Sequence, residues 1–200
     1  ELMPGLKYDL AIHSGLFIDG GAGKFKVRDG RQKVSEAKAD DAAFTARLKY
    51  TGIAGLELAT TLQYQSDVFQ SEDFNGEEVD ATLFEAHAVY QNGPFALRAL
   101  YALWDLDDGI NTIAQGADEQ EGFYIEPSFR INDKIGIFAR YNEWDNQAGS
   151  GNDTEYEQID IGINYWLTEH VVFKADYQTQ DAPSGKAEMD GINLGVGWSF

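Results

Sequence analysis

The sequence predicts a transmembrane antiparallel β-barrel, and three observations lead to this fold class. Apolar and polar residues alternate along about ten segments of roughly 9 to 12 residues, the length that a tilted strand needs to cross a bilayer. Short and long connections alternate between these segments. Aromatic residues recur at a spacing of six residues on the apolar side of single segments. These patterns favour a sheet with an apolar exterior over a soluble β-sandwich.

The composition favours one β-rich unit covering residues 1–200. The chain contains 21 Gly, 12 Phe, 10 Tyr and 4 Trp, residue types that are common in turns and strands. Its mean hydropathy is only −0.39, which agrees with strands that present one apolar and one polar side. Cysteine is absent, so disulfides and thiolate metal sites are excluded. The net charge of −19 argues against a nucleic-acid partner, which requires a basic surface.

The ten predicted strands and their connections follow one another along the chain. The approximate strand spans are 6–17, 42–51, 55–66, 80–91, 94–105, 121–131, 135–145, 156–166, 170–180 and 190–200. The short connections have tight turn lengths or turn residues: Gly52-Ile53-Ala54-Gly55, Asn92-Gly93, Asn132-Asp133-Lys134 and Leu167-Thr168-Glu169. The long connections are roughly 18–41, 67–79, 106–120, 146–155 and 181–189. In outer-membrane barrels the short turns lie in the periplasm, which predicts the orientation of the sheet.

The aromatic spacing predicts two girdles around the apolar side. The aromatic pairs are Phe44 and Tyr50, Phe84 and Tyr90, Phe95 and Tyr101, and Phe123 and Phe129. Six residues of strand rise about 20 Å, which a tilt of roughly 40° reduces to about 15 Å along the membrane normal. Each pair therefore places rings near both interfaces, where amphipathic aromatic side chains are stable. The alternative is that these rings form the dry interior of a soluble sandwich.

The other side of the predicted strands is charged, and we expect it to line an aqueous lumen. Its candidate lining residues are Arg47, Lys49, Glu57, Glu85, His87, Arg98, Glu126, Arg130, Arg140, Asp160, Lys174 and Asp176. Most of the bases lie two to six positions from a short turn, which predicts a basic belt at the periplasmic end. Two interpretations are open. Each base pairs with an acid of a neighbouring strand, or unpaired guanidinium groups attract small anions such as phosphate.

The stretch Glu121–Arg130, the turn Asn132-Asp133-Lys134 and the segment Ile137–Tyr141 resemble the C-terminal part of the phosphate-selective porin O/P family of Gram-negative outer membranes. The closing Gly195–Phe200 fits this resemblance, and its last residue is similar to the terminal aromatic signal for barrel assembly. The resemblance implies a bacterial outer-membrane location, contact with lipid and lipopolysaccharide, and a homotrimer of barrels of about sixteen strands. These ten strands would then be the C-terminal portion of a longer porin. A complete ten-stranded barrel is the alternative.

The long loops carry charges of opposite sign. The first contains Lys24, Lys26, Arg28, Arg31, Lys33 and Lys38. It either stays a solvated surface loop or folds into the mouth and attracts anions. The acidic loops around 67–80 and 105–121 either hold Ca²⁺ or Mg²⁺ near lipopolysaccharide or keep the outer surface soluble, which is the simpler role. We predict no metal or other cofactor.

These residues favour a passive diffusion channel for small hydrophilic solutes with a modest preference for anions. The six bases among the candidate lining residues would offset part of the free-energy cost of dehydrating an anion in a narrow lumen. The alternatives are a small barrel with a structural or adhesive role and an outer-membrane hydrolase. Glu85 and His87 share one side of a strand, whereas His13 and Ser14 point to opposite sides. We therefore expect Glu85 and His87 to form a wall contact and expect no catalysis.

Overall fold

The computed structural model of the protein describes residues 3–18, 25–71, 78–106 and 116–199. Ten strands in these ranges form a single antiparallel sheet, close to the predicted spans. The strands are β1 (Leu6–His13), β2 (Ala43–Ile53), β3 (Leu56–Gln65), β4 (Ala81–Asn92), β5 (Phe95–Leu106), β6 (Glu119–Arg130), β7 (Ile135–Asp145), β8 (Tyr156–Thr168), β9 (Val171–Asp181) and β10 (Gly191–Trp198). Phe200, on which the assembly-signal interpretation rests, lies outside the described residues.

Each strand pairs with the strand that follows it in the chain, in the order β1 to β10. In the described sheet, β1 and β10 are edges with one partner each. Tight turns join alternate pairs, and glycine is required where φ is positive, at Gly55 (78°) and Gly93 (57°). Pairing between neighbouring strands satisfies the backbone hydrogen bonds of the inner strands, as a backbone in hydrocarbon must. No helix in the described ranges has the length and apolar character needed to cross a membrane.

The apolar side of the sheet faces outward, as predicted. Leu194 is 81% exposed and Ile161 is 62% exposed, and both alternate with polar neighbours on the other side. The aromatic side chains of Phe44, Phe84 and Phe129 are likewise exposed on the apolar side. A soluble sheet would bury these side chains in a core. The alternative, a dry sandwich interior made of these rings, is therefore wrong, and the outward apolar surface is that of a transmembrane β-barrel.

The buried apolar cluster of the protein lies instead at the long-loop end of the polar side. Its members come from the loops and from the ends of β4 and β5: Leu16, Ile18, Phe25, Val27, Val68, Phe69, Val79, Ala81, Leu106 and Ala117, with Trp104 packed against them. Ala81 pairs with Leu106 in the same row of side chains as Glu85 and Arg98. The loops therefore fold over the polar side rather than extending from the rim.

The first long connection is part of this cluster. β1 ends at His13, earlier than predicted, because Leu16 turns inward and forms an isolated bridge with Arg31. Two short 3₁₀ helices follow, Val27–Gly30 and Val34–Glu36, and Val27 packs inward. The described part of the loop thus folds over the sheet through its apolar residues, while its bases Lys26, Arg28, Arg31 and Lys33 are exposed. Lys24 lies outside the described residues, and attraction of anions by this loop stays a prediction.

Candidate functional site

All twelve predicted lining residues lie on the polar side of the sheet. The registers show this directly, because facing residues in an antiparallel pair share one side. Arg47 faces Asp9, Arg98 faces Glu126, and Arg140 faces Asp160. The predicted periodicity of the strands is thus confirmed at every candidate position. That these residues line an aqueous pathway stays a prediction.

Five of the six candidate lining bases contact a carboxylate. The pairs are Arg47 with Asp9 at 2.6 Å, Lys49 with Glu57 at 3.3 Å, Arg98 with Glu126 at 3.1 Å, Arg140 with Glu126 at 3.6 Å, and Lys174 with Asp176 at 3.5 Å. Glu126 forms ion pairs with two arginines of different strands and is itself shielded, whereas the Arg98 side chain is 59% exposed. Pairing with an acid of a neighbouring strand therefore describes four of these bases, whereas Lys174 pairs with an acid of its own strand. A ladder of unpaired guanidinium groups does not describe these five bases.

Asp160 is held by amides rather than by a base. It is buried and accepts hydrogen bonds from Asn142 Nδ2 at 2.9 Å and from Gln158 Nε2 at 3.0 Å. Arg140, which faces it in register, donates from Nε to Asn142 Oδ1 at 2.7 Å. Asn142 thus bridges Arg140 and Asp160, which do not contact each other directly. The sequence prediction missed this role because the position of an amide on the polar side does not reveal its partners.

Glu85 and His87 form the predicted wall contact. His87 Nδ1 lies 2.6 Å from Glu85 Oε1, and its Nε2 lies 3.5 Å from Glu57. The Thr61 hydroxyl donates to Glu85 at 2.8 Å, and Lys49 pairs with Glu57. These groups form one chain of contacts across β2, β3 and β4. Within the described residues, no serine hydroxyl contacts His87.

Three bases near the short turns lie over aromatic rings of the polar side. The Arg140 guanidinium lies 3.7 Å from the Tyr124 ring centre, Arg130 lies 4.3 Å from Trp166, and the Lys174 ammonium lies 4.5 Å from Phe138. Such cation–π contacts orient a cation and stabilise it when water is partly excluded. Sequence reasoning missed these rings. They could have been found from an aromatic residue on the polar side that faces a glycine of the neighbouring strand, as Phe138 faces Gly162.

A concavity of about 430 Å³ opens at this end of the polar side. Its charged lining residues are the bases Arg98, Arg130 and Lys174 and the single acid Glu126. Ser128, Asn164 and Trp166 complete the part of the wall between them. Bases outnumber acids here although the whole chain has a net charge of −19. Three of the six bases of the predicted belt thus give this concavity a local excess of positive charge.

Asp67 has a structural role that the sequence did not reveal. It was expected to be one of the solvated acids of the second long loop, but it is only 3% exposed. Its carboxylate accepts backbone N–H bonds from Phe69 at 2.9 Å, Ser71 at 2.8 Å and Val79 at 3.3 Å. These bonds satisfy the donors of a loop that leaves the sheet. Asp67 therefore organises the folded loop.

The acidic loops do not present a metal site in the part of the chain that is described. Much of the two predicted loops, including Glu72, Asp73, Asp107 and Asp108, lies outside the described residues. Elsewhere, Glu143, Glu155 and Glu157 place carboxylate oxygens within 4.8 Å of one another on the apolar side, beside the fourth long loop. Some loss of hydration, together with the charges of Glu143 and Glu157, raises the pKa of Glu155. An exposed acidic group alone does not specify a cation, and no metal chemistry is assigned to it.

The fold is shared with solved outer-membrane proteins. OmpT, an outer membrane protein of Vibrio cholerae, is 13% identical with a TM-score of 0.55, over 79% of this chain and 55% of that one. Its loop L8 deletion mutant is 14% identical with a TM-score of 0.56, over 85% and 57%. An anion-selective porin from Comamonas acidovorans is 14% identical with a TM-score of 0.57, over 82% and 46%. The chain thus spans about half the length of these proteins.

The sequence itself gives a family assignment. The family model described as Gram-negative porin matches residues 19–184, which is most of the chain. The search of curated proteins found no match to the chain. The match covers eight of the ten strands, β2 to β9, including those that carry the basic concavity. Together with the outward apolar surface and the outer-membrane structures of the same fold, this means that the chain belongs to the Gram-negative porin family and lies in the bacterial outer membrane.

Proposed function

We propose that the protein is a passive diffusion channel for small hydrophilic solutes and that it performs no catalysis. The observation that carries this proposal is the inverted polarity of the sheet, which has exposed apolar side chains on one side and paired charges on the other. A wall of this kind separates hydrocarbon from water. The chain of contacts through Glu85 and His87 then stiffens the wall, since its members satisfy one another.

We further propose that permeation favours small anions, phosphate among them, as the resemblance to phosphate-selective porins suggests. The support lies in the basic excess around Arg98, Arg130 and Lys174, where an anion entering from water would regain part of its lost hydration energy. The porin from Comamonas acidovorans is described as anion-selective, but at 14% identity its likeness concerns the fold. The anion preference proposed here therefore rests on the charges of this chain.

The architecture proposed for the channel is a barrel larger than ten strands, assembled as a homotrimer in lipid and lipopolysaccharide. Two observations support the larger barrel. The described sheet has open edges at β1 and β10, and the chain spans only about half of the solved structures with the same fold. Sixteen strands would leave an aqueous channel, whereas ten would enclose a lumen mostly filled by side chains. Residues 1–200 would then supply the C-terminal portion of the wall.

Conductance in planar bilayers tests this function. The purified full-length protein should give stepwise increases in current in KCl, and a salt gradient should give a reversal potential shifted toward that of chloride. Replacing Arg98 and Arg140 by Ser should reduce the shift by removing positive charge from the polar side. Absence of conductance would contradict the channel and favour a structural or adhesive barrel. A cation-shifted reversal potential would contradict the anion preference alone.

A further inference from the structure

We propose that Arg130 is an oxyanion-binding site on the polar side of the sheet. Its guanidinium is oriented by Trp166, which reaches it across Gly136. This inference rests on the proposed channel function and assigns to one residue the recognition of the permeating anion. Arg130 ends β6, next to the short turn that leads into β7. The proposed site therefore lies at the short-turn end of the polar side, within the basic concavity.

Among the six candidate lining bases, Arg130 is the one with no acidic partner in the described residues. Across residues 3–18, 25–71, 78–106 and 116–199, no carboxylate lies within ion-pair distance of its guanidinium. It donates instead from one terminal nitrogen to the backbone carbonyl of Asp133 at 2.8 Å. A guanidinium group has five N–H donors in a rigid fork, so most of them are left for a ligand. The charge of Arg130 is therefore not cancelled by a neighbour.

Trp166 fixes the plane of this guanidinium, and Gly136 makes that contact possible. The Arg130 guanidinium carbon lies 4.3 Å from the centre of the Trp166 ring. Arg130 faces Gly136 across the β6–β7 pair, and Gly136 faces Asn164, two residues before Trp166 in β8. A Cβ at position 136 would lie 3.0 Å and 3.1 Å from Cζ3 and Cη2 of the ring. The absence of a side chain lets the tryptophan cross β7 and reach the arginine.

The surroundings of Arg130 supply further donors and little competing negative charge. Ser128 and Asn164 line the same concavity, and among the described residues neither side chain has a hydrogen-bond partner. Lys174 and Arg98 add positive charge from the neighbouring wall. The one carboxylate lining it, Glu126, is bound by Arg98 and Arg140. An anion at Arg130 thus meets an oriented guanidinium, a hydroxyl and an amide.

The ligand that fits is a small oxyanion, either a phosphate or a carboxylate. Both present two oxygens at the spacing of the guanidinium fork, which gives two parallel N–H···O bonds. Chloride has no such geometry and would feel only the charge. Conduction requires a site weak enough to release its ion, so we expect a dissociation constant on the order of millimolar. Binding of this strength reduces the chloride current without closing the channel.

The test is inhibition of the KCl current of the full-length protein by inorganic phosphate, with acetate as the carboxylate probe. Arg130→Gln should raise the inhibition constant roughly tenfold, since a charged hydrogen-bond partner is lost. Trp166→Leu changes no charge but frees the guanidinium, and should raise the constant about threefold. Arg130→Lys keeps the charge without the planar fork and should behave like Trp166→Leu. The matched control is Tyr124→Leu, which removes the ring under Arg140, a base already held by Glu126 and Asn142.

The outcomes separate this site from the channel function. Unchanged phosphate inhibition in Arg130→Gln and Arg130→Lys, with normal KCl conductance, would overturn the site and leave the channel standing. An equal loss in Tyr124→Leu and Trp166→Leu would also overturn it, because a general loss of wall order would then explain both. A wild-type protein that gives no KCl current would overturn the proposed function instead. Phosphate and acetate acting with very different strength would identify which oxyanion the site prefers.

Discussion

The two ends of the polar side are stabilised by different interactions: burial of apolar side chains at the long-loop end and ion pairs at the short-turn end. At the long-loop end, loops cover the sheet and bury Phe69, Leu106 and the amide of Gln65 away from water. At the short-turn end, Arg98 and Lys174 remain about half exposed and charges meet across neighbouring strands. Burial of one large apolar side chain stabilises a fold by about 1.5–3 kcal/mol, whereas an exposed ion pair contributes about 0–1 kcal/mol. The loop end therefore supplies stability, and the turn end supplies a charged surface that can respond to a solute.

The loop end also depends on three buried amides that join chain segments far apart in sequence. Gln65 contacts the backbone of Leu16 through both its oxygen and its nitrogen and also donates to Asp67 O. Gln70 donates to the carbonyls of Ser14 and Leu16, and Gln120 joins Val27 to Phe25 and Ala117. Because these bonds replace water at buried backbone groups, the loops have one folded arrangement over the sheet. The comparison predicts that changes at this end mainly alter stability.

The largest expected effect is at Phe69. The ring is fully buried and packs edge-on against Phe25 at a centroid distance of 5.7 Å. Phe69→Ala should lower the free energy of unfolding by about 3–5 kcal/mol, as for other buried Phe truncations. Urea unfolding in detergent micelles measures this. The matched control is Phe173→Ala on the exposed apolar side, which should cost far less in detergent. Equal losses in the two variants would contradict the assignment of stability to the loop end.

A somewhat smaller effect is expected at Gln65. Gln65→Ala leaves the buried N–H of Leu16 without its partner and removes one of the two donors to the Leu16 carbonyl, a loss of about 1–3 kcal/mol. Because the damage is local, hydrogen exchange of residues 14–18 and 66–71 should accelerate more than exchange in β7–β9. Gln63→Ala is the control, since that side chain accepts one hydrogen bond from Thr45 on the same strand face. Uniform exchange across the sheet in Gln65→Ala would argue against a separately anchored loop.

At the turn end, changes should alter selectivity more than stability. Glu126→Gln removes the one carboxylate that lines the basic concavity and leaves Arg98 and Arg140 unpaired. The reversal potential in a KCl gradient should move further toward that of chloride, while the free energy of unfolding changes by about 1 kcal/mol or less. The double change Arg98→Gln with Glu126→Gln keeps the net charge and should restore the original value. A shift toward the potassium potential would contradict the electrostatic role of these pairs.

The smallest expected effect concerns Glu155, which lies outside the strands. Some loss of hydration and the nearby carboxylates of Glu143 and Glu157 raise its pKa, so its ionised form is disfavoured in the folded protein. Wild-type stability should therefore gain from this group as the pH falls through the raised pKa and the folded state binds the proton. Glu155→Gln should be slightly more stable than wild type at pH 7, and the difference should shrink toward pH 4. Glu36→Gln, at an exposed position in the first long loop, is the control. A stability difference between Glu155→Gln and wild type that does not change with pH would contradict the raised pKa as its cause.

Alternation and turn chemistry were sufficient to predict the sheet, because the pleat forces every second side chain to one side. Each of the twelve lining candidates is on the predicted side for this reason, and the Glu85–His87 contact follows from a two-residue spacing. Contacts between chain segments were not predictable. Asp67 was predicted to be solvated, yet loop folding buries it, and the Trp166–Arg130 contact depends on a glycine in a third strand. The side of the sheet that a residue faces follows from its position along one strand. Burial of loops and placement of aromatic rings depend instead on contacts between distant segments of the folded sheet.

The central claim is that hydrocarbon contacts the apolar side of the sheet and water contacts the polar side. Since the chain has no cysteine, single Cys residues replacing Leu62 and Gln63, neighbours on opposite sides of β3, can each carry a nitroxide spin label in the reconstituted protein. Collision rates with oxygen, which concentrates in lipid, and with a water-soluble nickel complex report the surroundings of each label. The label at position 62 should favour oxygen and the label at position 63 the nickel complex. The reverse pattern would contradict the account.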